Sequence, residues 1–242
     1  MDESSIAAHS IMHGNEQASI GDFFNVQGNA NGVIEMEGDL SRVKHIGYEM
    51  QSGEIRINGD VGAHLGAGMF GGEIHVTGNA GDWVAPEMSG GRITITGNAG
   101  HMPGSAYRGS AMGITGGEII IHGNVKNETG NAMRNGLIVI GGNAGDFTGV
   151  NMLAGSIIVL GEMGIRTGAG MKRGSIISMQ QAEMLPTFEH ACRYRPTFLR
   201  LLLLNLQKLG LPVTDEHITG HYDRWCGDSV ELNRGEILLF NS

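Results

Sequence analysis

The sequence has little cysteine, proline, aromatic residue or charge, and each shortage excludes a class of protein. Its 242 residues include two cysteines and five prolines, with 5% aromatic and 17% charged side chains. Two cysteines are too few for a disulfide framework, and Cys192 and Cys226 lack the spacing of metal ligands, so we expect reduced thiols. With 40% apolar residues, the chain is neither collagen-like nor a disordered segment rich in proline and glycine.

Charge and the lack of long apolar runs narrow the possible partners and location. The net charge is −9, so the chain lacks the cationic footprint that nucleic-acid binding requires. The longest apolar runs, such as Leu201 to Leu204, have four residues and are far too short to cross a membrane. Asp2 and Glu3 stand where a signal peptide would carry positive charge. These features predict a cytoplasmic protein with neither nucleic acid nor membrane as a partner.

Glycine is abundant, at 41 residues, and it marks a repeat. The pattern G-x-I-x-apolar-x, usually followed by Gly-Asn or Gly-Asp, occurs eight times, at steps of 21, 19, 19, 26, 19, 19 and 19 residues. The repeats begin at Gly32, Gly53, Gly72, Gly91, Gly117, Gly136, Gly155 and Gly174. A fixed period of this length is typical of a solenoid.

Equivalent positions of the repeats carry equivalent residues. The third residue is always isoleucine, from Ile34 to Ile176, and the fifth is usually β-branched, which is the alternation of a strand with one face inward. Three residues before each repeat after the first stand Met50, Met69, Met88, Ile114, Met133, Met152 and Met171. We expect both sets in the core, with methionine as an adaptable filler rather than a metal ligand.

The residue that follows the glycine after most strands is Asn or Asp, as in Asp60, Asn79 and Asn98. Such side chains suit turns, so we expect stacked turn amides. A ladder of metal ligands is the alternative interpretation, which the sporadic occurrence of carboxylates at this position disfavours.

The repeat predicts the fold class. A strand of about six residues with a return of about thirteen cannot bury its apolar side alone, whereas parallel stacking of units buries it. A period of 19 does not fit the hexapeptide helices of acyltransferases, and the G-G-x-G-x-D motif of calcium-binding solenoids is absent. We predict an all-β protein: an N-terminal segment (1–24), a right-handed parallel β-helix of about eight coils (25–180) and a C-terminal extension (181–242).

The 26-residue step interrupts the period and predicts an inserted loop. If Ala111 and Ile114 keep their places in the repeat, seven extra residues lie between Gly100 and Ser110. Loops raised from a regular solenoid commonly bind, so His101, Tyr107 and Arg108 are candidate contacts for a partner or a carrier. A neutral surface insertion is the alternative.

The outward positions of the strands change character along the chain. They are polar in the early repeats, as at Glu54 and Arg56, and apolar in the later ones: Ile120, Leu137, Val139, Ile158, Leu160, Ile177 and Met179. A solvent-facing sheet should be polar, so something must cover the later half.

The C-terminal extension contains a candidate cover. A helix is predicted at about 196–209, with proline at its start and Gly210 at its end. Because it is apolar nearly all round, we expect one side on the solenoid and another against a different polypeptide. Residues 235–240 repeat the start of the pattern and predict a last strand that rejoins the stack.

Motifs of known catalytic or cofactor sites are absent from the sequence. There is no H-E-x-x-H, G-x-S-x-G or GxxxxGK[ST], and no G-x-G-x-x-G follows a strand. We therefore assign no catalytic, cofactor-binding or metal-binding residue to this chain.

The G-x-I-x-I-x-G-N-A-G repeat, with glycine-spaced returns such as Gly164–Gly170, resembles the C-terminal domain of glutamate synthase large subunits and the C subunit of formylmethanofuran dehydrogenase. The blocks Pro186–Phe188, Tyr194–Pro196, Gly227–Asp228 and Gly235–Leu238 are similar to the C subunit of the bacterial formyltransferase/hydrolase complex. The resemblance implies a right-handed β-helix without catalytic residues.

The resemblance also implies a function in the one-carbon metabolism of methylotrophs, in formaldehyde oxidation. The chain would be the structural subunit of a hetero-oligomer that converts formyl-tetrahydromethanopterin to formate via a methanofuran-type carrier. Metal and carrier would be held by the formyltransferase and amidohydrolase-like subunits. The alternatives are a β-helix module of a glutamate synthase-like amidotransferase, a subunit of formylmethanofuran dehydrogenase, and an enzyme with His101 and Arg108 in its site.

Overall fold

The computed structural model describes residues 2–28 and 31–241 and divides the chain into two compact units, Met1–Ile34 and Glu35–Ser242. The first unit contains helix α1 (Glu3–Ala7), the hairpin strands β1 (Ser10–His13) and β2 (Glu16–Ser19), and a 3-10 turn at Ile20–Asp22. Asp2 caps α1 by accepting the backbone N–H of Ser5 at 2.8 Å. The division of the chain at residues 24 and 180 stays a prediction.

The repeats form a β-solenoid of about eight turns, as predicted, with one strand for each repeat. The strands are β3 (Val33–Glu37), β4 (Glu54–Asn58), β5 (Glu73–Val76), β6 (Arg92–Ile95), β7 (Glu118–Ile121), β8 (Leu137–Ile140), β9 (Ser156–Val159) and β10 (Arg173–Ser178). Neighbours from β4 to β10 pair in parallel without a shift in register. The inserted loop between β6 and β7 therefore leaves the sheet unchanged.

The isoleucine and methionine positions form the interior. Ile74, Ile93 and Ile119 are fully buried, and so are Met69 and Met88, which confirms both as core positions. Ile34 is the exception: it is 59% exposed, so its predicted burial is wrong. Its strand, β3, is the edge strand of the sheet, and among residues 2–28 and 31–241 no further strand continues the isoleucine stack there.

The turn amides stack as predicted. The backbone N–H of each turn residue donates to the side-chain oxygen of the equivalent residue one coil earlier, over 2.7–2.9 Å, through Asp60, Asn79, Asn98, Asn124, Asn143 and Glu162. We call this series the turn ladder. A line of parallel bridges runs beside it, from Leu40 through Val61 and Ala80 to Met163. The ladder keeps successive coils at one spacing, because each of these hydrogen bonds fixes the position of one coil against the coil before it.

The C-terminal extension joins the solenoid through its last strand. It contains β11 (Glu189–Tyr194), α2 (Leu199–Lys208), α3 (Asp215–Thr219), β12 (His221–Gly227) and β13 (Arg234–Asn241). Strand β13 lies parallel to β10, which confirms the predicted last strand. Strands β12 and β11 then pair antiparallel beyond it, so the sheet has eleven strands. The extension thus holds more than the single predicted helix.

Helix α2 covers the apolar outer face of the later coils. Its buried residues Leu199, Leu203 and Leu206 belong to one cluster with Ile120, Val139, Ile158, Ile177 and Leu238. On its other side Leu201 is 79% exposed and Phe198 is also exposed. The helix begins three residues after the predicted start, because the N–H of Leu199 closes a turn onto the carbonyl of Pro196.

The outer face of the early coils carries ion pairs instead. Arg56 contacts Glu54 at 2.7 Å, and Arg92 contacts Glu118 at 2.8 Å. Exposed pairs of this kind contribute little to stability, but they keep this half of the sheet polar. Among residues 2–28 and 31–241, no helix combines the length and the apolar character needed to span a bilayer.

Candidate functional site

The seven extra residues of the long step are Tyr107–Gly113. Gly104 takes the place of Ala85 one coil later, because its N–H bonds the carbonyl of Val84 just as the N–H of Ala85 bonds that of Leu65. Ile114 keeps the methionine position. The placement of Ala111 in the repeat, and of the insertion between Gly100 and Ser110, is therefore wrong. Gly104 and Ala111 are both small residues that precede Ile114, and the repeat spacing alone did not show which of them stands at this position.

His101 lies in a regular turn, outside the inserted loop. Its backbone N–H donates to Oδ1 of Asp82 at 2.7 Å, and its ring Nδ1 accepts the N–H of Asn127 at 3.3 Å. Asn127 makes the same contact with Asp146 in the next coil. The imidazole of His101 thus replaces a turn amide as a rung of a second ladder, while Arg108 lies in the exposed part of the loop.

Tyr107, the first residue of the insertion, is fixed against earlier coils. Its hydroxyl lies 2.9 Å from Nδ1 of His64, and its ring centroid lies 4.9 Å from that of Trp83. Its backbone N–H donates to Oε1 of Glu87 at 3.1 Å. Partial burial and the charge of Glu87 raise the pKa of Tyr107, so the phenol stays protonated at neutral pH.

Three rings occupy the same position of successive coils. His45 and His64 stack with centroids 4.6 Å apart and planes within 7°, and His64 lies 6.3 Å from Trp83. Tyr48 meets His45 edge-on at 5.9 Å. With Tyr107 these residues form what we call the aromatic surface: His45, Tyr48, His64, Trp83 and Tyr107.

Burial is the main cause that lowers the pKa of His64, and the charges of His45 and Lys44 lower it further. The ring is therefore neutral at neutral pH, and one of its two nitrogens can accept a hydrogen bond. The hydroxyl of Tyr107 donates to Nδ1 in the tautomer that carries its hydrogen on Nε2. The contact ties the inserted loop to a coil two turns earlier.

The backbone under the stacked rings is left-handed. φ lies near +60° at this position in seven coils, namely at His45, His64, Trp83, Met102, Glu128, Phe147 and Arg166. A side chain in this conformation costs about 1–2 kcal/mol, and glycine would remove that cost, as Gly66 does two residues after His64. Because the conformation recurs in seven coils, it belongs to this corner of the solenoid, which carries the rings of His45, His64 and Trp83 at one position.

The aromatic surface has the chemistry of a contact surface. Tyrosine and tryptophan combine large apolar area with a polar group and are enriched in protein interfaces. In the part of the chain that the structure describes, no three His, Cys, Asp or Glu side chains are grouped as metal ligands. Tyr107 was predicted from the sequence and the other four residues were not, although His45, His64 and Trp83 recur at the repeat spacing of 19 residues.

These features define a β-solenoid with glycine-rich coils, a covered outer face and an aromatic contact surface. The family of the GXGXG motif matches residues 16–193. The crystal structure of the formyltransferase/hydrolase complex (FhcABCD) from Methylorubrum extorquens, with methylofuran, contains a similar chain. That chain is 32% identical with a TM-score of 0.91, and the likeness covers 100% of this chain and 91% of the other.

Two curated relatives match shorter stretches. The C subunit of the molybdenum-containing formylmethanofuran dehydrogenase 1 of Methanothermobacter thermautotrophicus is 44% identical over 64 residues, 26% of this chain. The C subunit of the tungsten-containing enzyme 2 of the same organism is 45% identical over 56 residues. These stretches span 16% and 21% of the relatives' own lengths. The chain belongs to the GXGXG family, whose motif covers residues 16–193.

Proposed function

We propose that this chain is the structural subunit of a cytoplasmic formyltransferase/hydrolase complex, which converts formyl-tetrahydromethanopterin to formate through a methanofuran-type carrier. The observation that carries the proposal is the full-length likeness, at a TM-score of 0.91, to a chain of such a complex. The likeness includes the C-terminal extension, and therefore α2 and β13 as well as the repeats.

The architecture suits a scaffold. The solenoid is held by continuous ladders along its length, so it presents its faces to partners as a rigid body. Helix α2 leaves Leu201 and Phe198 exposed, in keeping with the predicted contact of its second side with another polypeptide. In this proposal the metal and the carrier belong to formyltransferase and amidohydrolase-like partner subunits.

Co-expression tests the proposal. A tagged chain should purify with the formyltransferase and amidohydrolase-like subunits as one hetero-oligomer of fixed stoichiometry, measured by mass photometry. The assembly should release formate from formyl-tetrahydromethanopterin, and the isolated chain should not. A stable isolated chain that transfers or hydrolyses the formyl group, or a chain that retains neither partner, would show the proposal to be wrong.

A further inference from the structure

A cleft with three basic side chains lies at the corner of the solenoid that precedes strands β8, β9 and β10. Its volume is about 270 Å³, and it is lined by Arg134, Leu153, Ala154, Lys172, Arg173 and Leu232. We call it the basic cleft. Positive charge is thus concentrated at one place in a chain whose net charge is −9.

The repeat aligns the cleft along the coil stack. The N–H groups of Arg134, Leu153 and Lys172 make the same backbone bond, each to the carbonyl of the core residue one coil earlier. The three residues therefore occupy one position of three successive coils, about 10 Å from first to last. Earlier coils carry uncharged residues at this position: Gln51, Phe70, Ser89 and Thr115. The basic residues are thus confined to the later coils.

Two arginines stand side by side at one end of the cleft. Arg173 and Arg234 are the first residues of β10 and β13, and they are partners in the parallel register of these strands. Both are exposed. Like charges directly opposite each other on neighbouring strands are destabilising. The isolated chain therefore carries a repulsion that a bound acidic group would remove.

The carboxylates of the neighbouring segment are engaged elsewhere. Glu236 forms an ion pair with Arg224 at 2.7 Å, and Asp228 accepts two backbone N–H groups at 2.9 and 3.0 Å. Glu231 contacts Lys172 at 3.8 Å. The chain between β12 and β13 thus supplies one acidic partner for the cleft, and this partner is on the lysine.

The arginines remain without an acidic partner and have apolar neighbours. Arg134, Arg173 and Arg234 form no ion pair within residues 2–28 and 31–241, in contrast to the arginines of the early coils. Leu232 in the wall of the cleft is exposed, as is Val230 in the same turn. Unpaired guanidinium groups beside exposed apolar side chains suit an acidic polypeptide that also carries apolar residues.

The dimensions of the cleft favour a peptide segment over a compact anion. Basic groups spread over about 10 Å match several carboxylates rather than one. In an extended segment with three residues per turn, side chains at i and i+3 lie on one side, about 9 Å apart. The cleft volume is also below the range of about 300–1,000 Å³ that is typical of pockets for small-molecule ligands.

We propose that the basic cleft binds an extended acidic segment of a partner subunit. This inference rests on the proposed function. Arg134 at one end and Arg173 with Arg234 at the other each bind carboxylates of the segment through paired N–H···O bonds. Leu153 contacts an apolar side chain between them. Binding also neutralises the repulsion between the two arginines on β10 and β13.

Removal of charge tests the cleft in the assembled complex. Arg134→Gln/Arg173→Gln keeps polar side chains and removes two positive charges. It should weaken the affinity of the tagged chain for its partner subunits at least about tenfold and reduce the salt dependence of binding, measured by biolayer interferometry. The unfolding midpoint of the isolated variant should stay equal or rise, because one member of the repelling pair is gone.

Two further variants serve as controls. Arg42→Gln/Lys126→Gln removes two positive charges from exposed side chains elsewhere and should bind partners as the unchanged chain does. Arg134→Lys/Arg173→Lys keeps both charges but loses the paired hydrogen bonds, so it should lose less affinity than the glutamine variant.

A zero-length cross-link identifies the occupant. Arg134→Lys places an amine in the cleft, and a carbodiimide joins an amine to a carboxylate that touches it, taking up the released water as a urea. In the complex this amine should be linked to an Asp or Glu of a partner subunit, identified by mass spectrometry. Lys126 is the control and should not be linked to the same segment.

The outcomes separate the two proposals. If the unchanged chain retains no partner, the proposed function fails, and the inference with it. If the unchanged chain assembles and Arg134→Gln/Arg173→Gln binds partners as tightly, the inference is wrong and the proposed function stands. A lowered unfolding midpoint of that variant, or a cross-link only to this chain, would mean that the cations serve its own structure. If the variant loses inorganic phosphate, measured by titration calorimetry, but keeps its partners, the occupant is a small anion and the inference is also wrong.

Discussion

Ile177 on the last strand of the solenoid and Leu238 on the last strand of the chain lie side by side in a parallel pair. Both side chains are almost fully buried under helix α2. The chain thus leaves the solenoid after β10, forms the cover, and returns to supply one more strand on the same sheet. The cover and the last strand therefore stabilise each other.

Leu238→Asp should disrupt this end of the molecule. Leu238 is 0% exposed, so the aspartate would place an unpaired charge between sheet and helix, which costs more than about 4 kcal/mol in the free energy of unfolding. Leu232→Asp, at a residue 51% exposed, is the control and should change it by less than about 0.5 kcal/mol. Equal denaturant midpoints for the two variants would contradict the structure of this end.

Helix α2 provides a second matched pair of substitutions, one at a buried leucine and one at an exposed leucine. Leu203→Ala removes a fully buried side chain from the cluster and should reduce the free energy of unfolding by about 2–5 kcal/mol. Leu201→Ala, two residues away on the exposed side, should leave it within about 0.5 kcal/mol. Urea unfolding followed by circular dichroism measures both. If Leu201→Ala also reduces partner affinity, the exposed side of α2 is an interface as predicted.

The turn ladder predicts a graded effect at Asn98. Its Oδ1 accepts the N–H of Asn124 at 2.8 Å, so Asn98→Ala leaves that donor without its partner and should cost about 1 kcal/mol. Asn98→Asp keeps an acceptor oxygen there and should cost less. Hydrogen exchange at the Asn124 amide should accelerate in the alanine variant alone; protection unchanged by alanine would contradict the ladder.

Stability should fall as the pH decreases below about 6.5. Burial lowers the pKa of both His64 and His217 in the folded chain, whereas the unfolded chain keeps the ordinary value. Below that value the unfolded state binds more protons, so stability is complete above it and is lost down to the lowered pKa values. His64→Asn/His217→Asn should flatten the dependence of the unfolding free energy on pH in this window. A slope unchanged in the double variant would exclude these two histidines as its source.

The repeat made most of the fold predictable. Eight isoleucines and a fixed period determine the strands, the core methionines and the turn ladder, because stacking forces equivalent residues into equivalent environments. Strands β11 and β12 and helix α3 were not predicted, since they pair with each other or with β13 and carry no repeat. Ile34 was misplaced because sequence does not show where a stack ends.

The candidate surface was only partly visible in the sequence. The 26-residue step predicted Tyr107 and Arg108 as residues of the inserted loop, and both lie there. His101 was predicted with them but lies in a turn, because an imidazole nitrogen can replace an amide oxygen as a hydrogen-bond acceptor. The spacing of His45, His64 and Trp83 was present in the sequence. What the sequence did not show is the left-handed backbone at these residues, or the turn of the inserted loop toward them.

The turn ladder determines where a chain of this kind can change its length. One residue gained or lost at a rung would displace the amide of that coil from its acceptor one coil earlier, whereas a whole added coil would repeat the same contacts. The corner after Ala106 is not subject to this constraint, because the seven inserted residues lie there and the ladders continue in the coils before and after it. Differences in length are thus accommodated as complete turns, at that corner and in the first coil, whose step is 21 residues, and new specificity can arise there while the rest of the stack keeps its contacts.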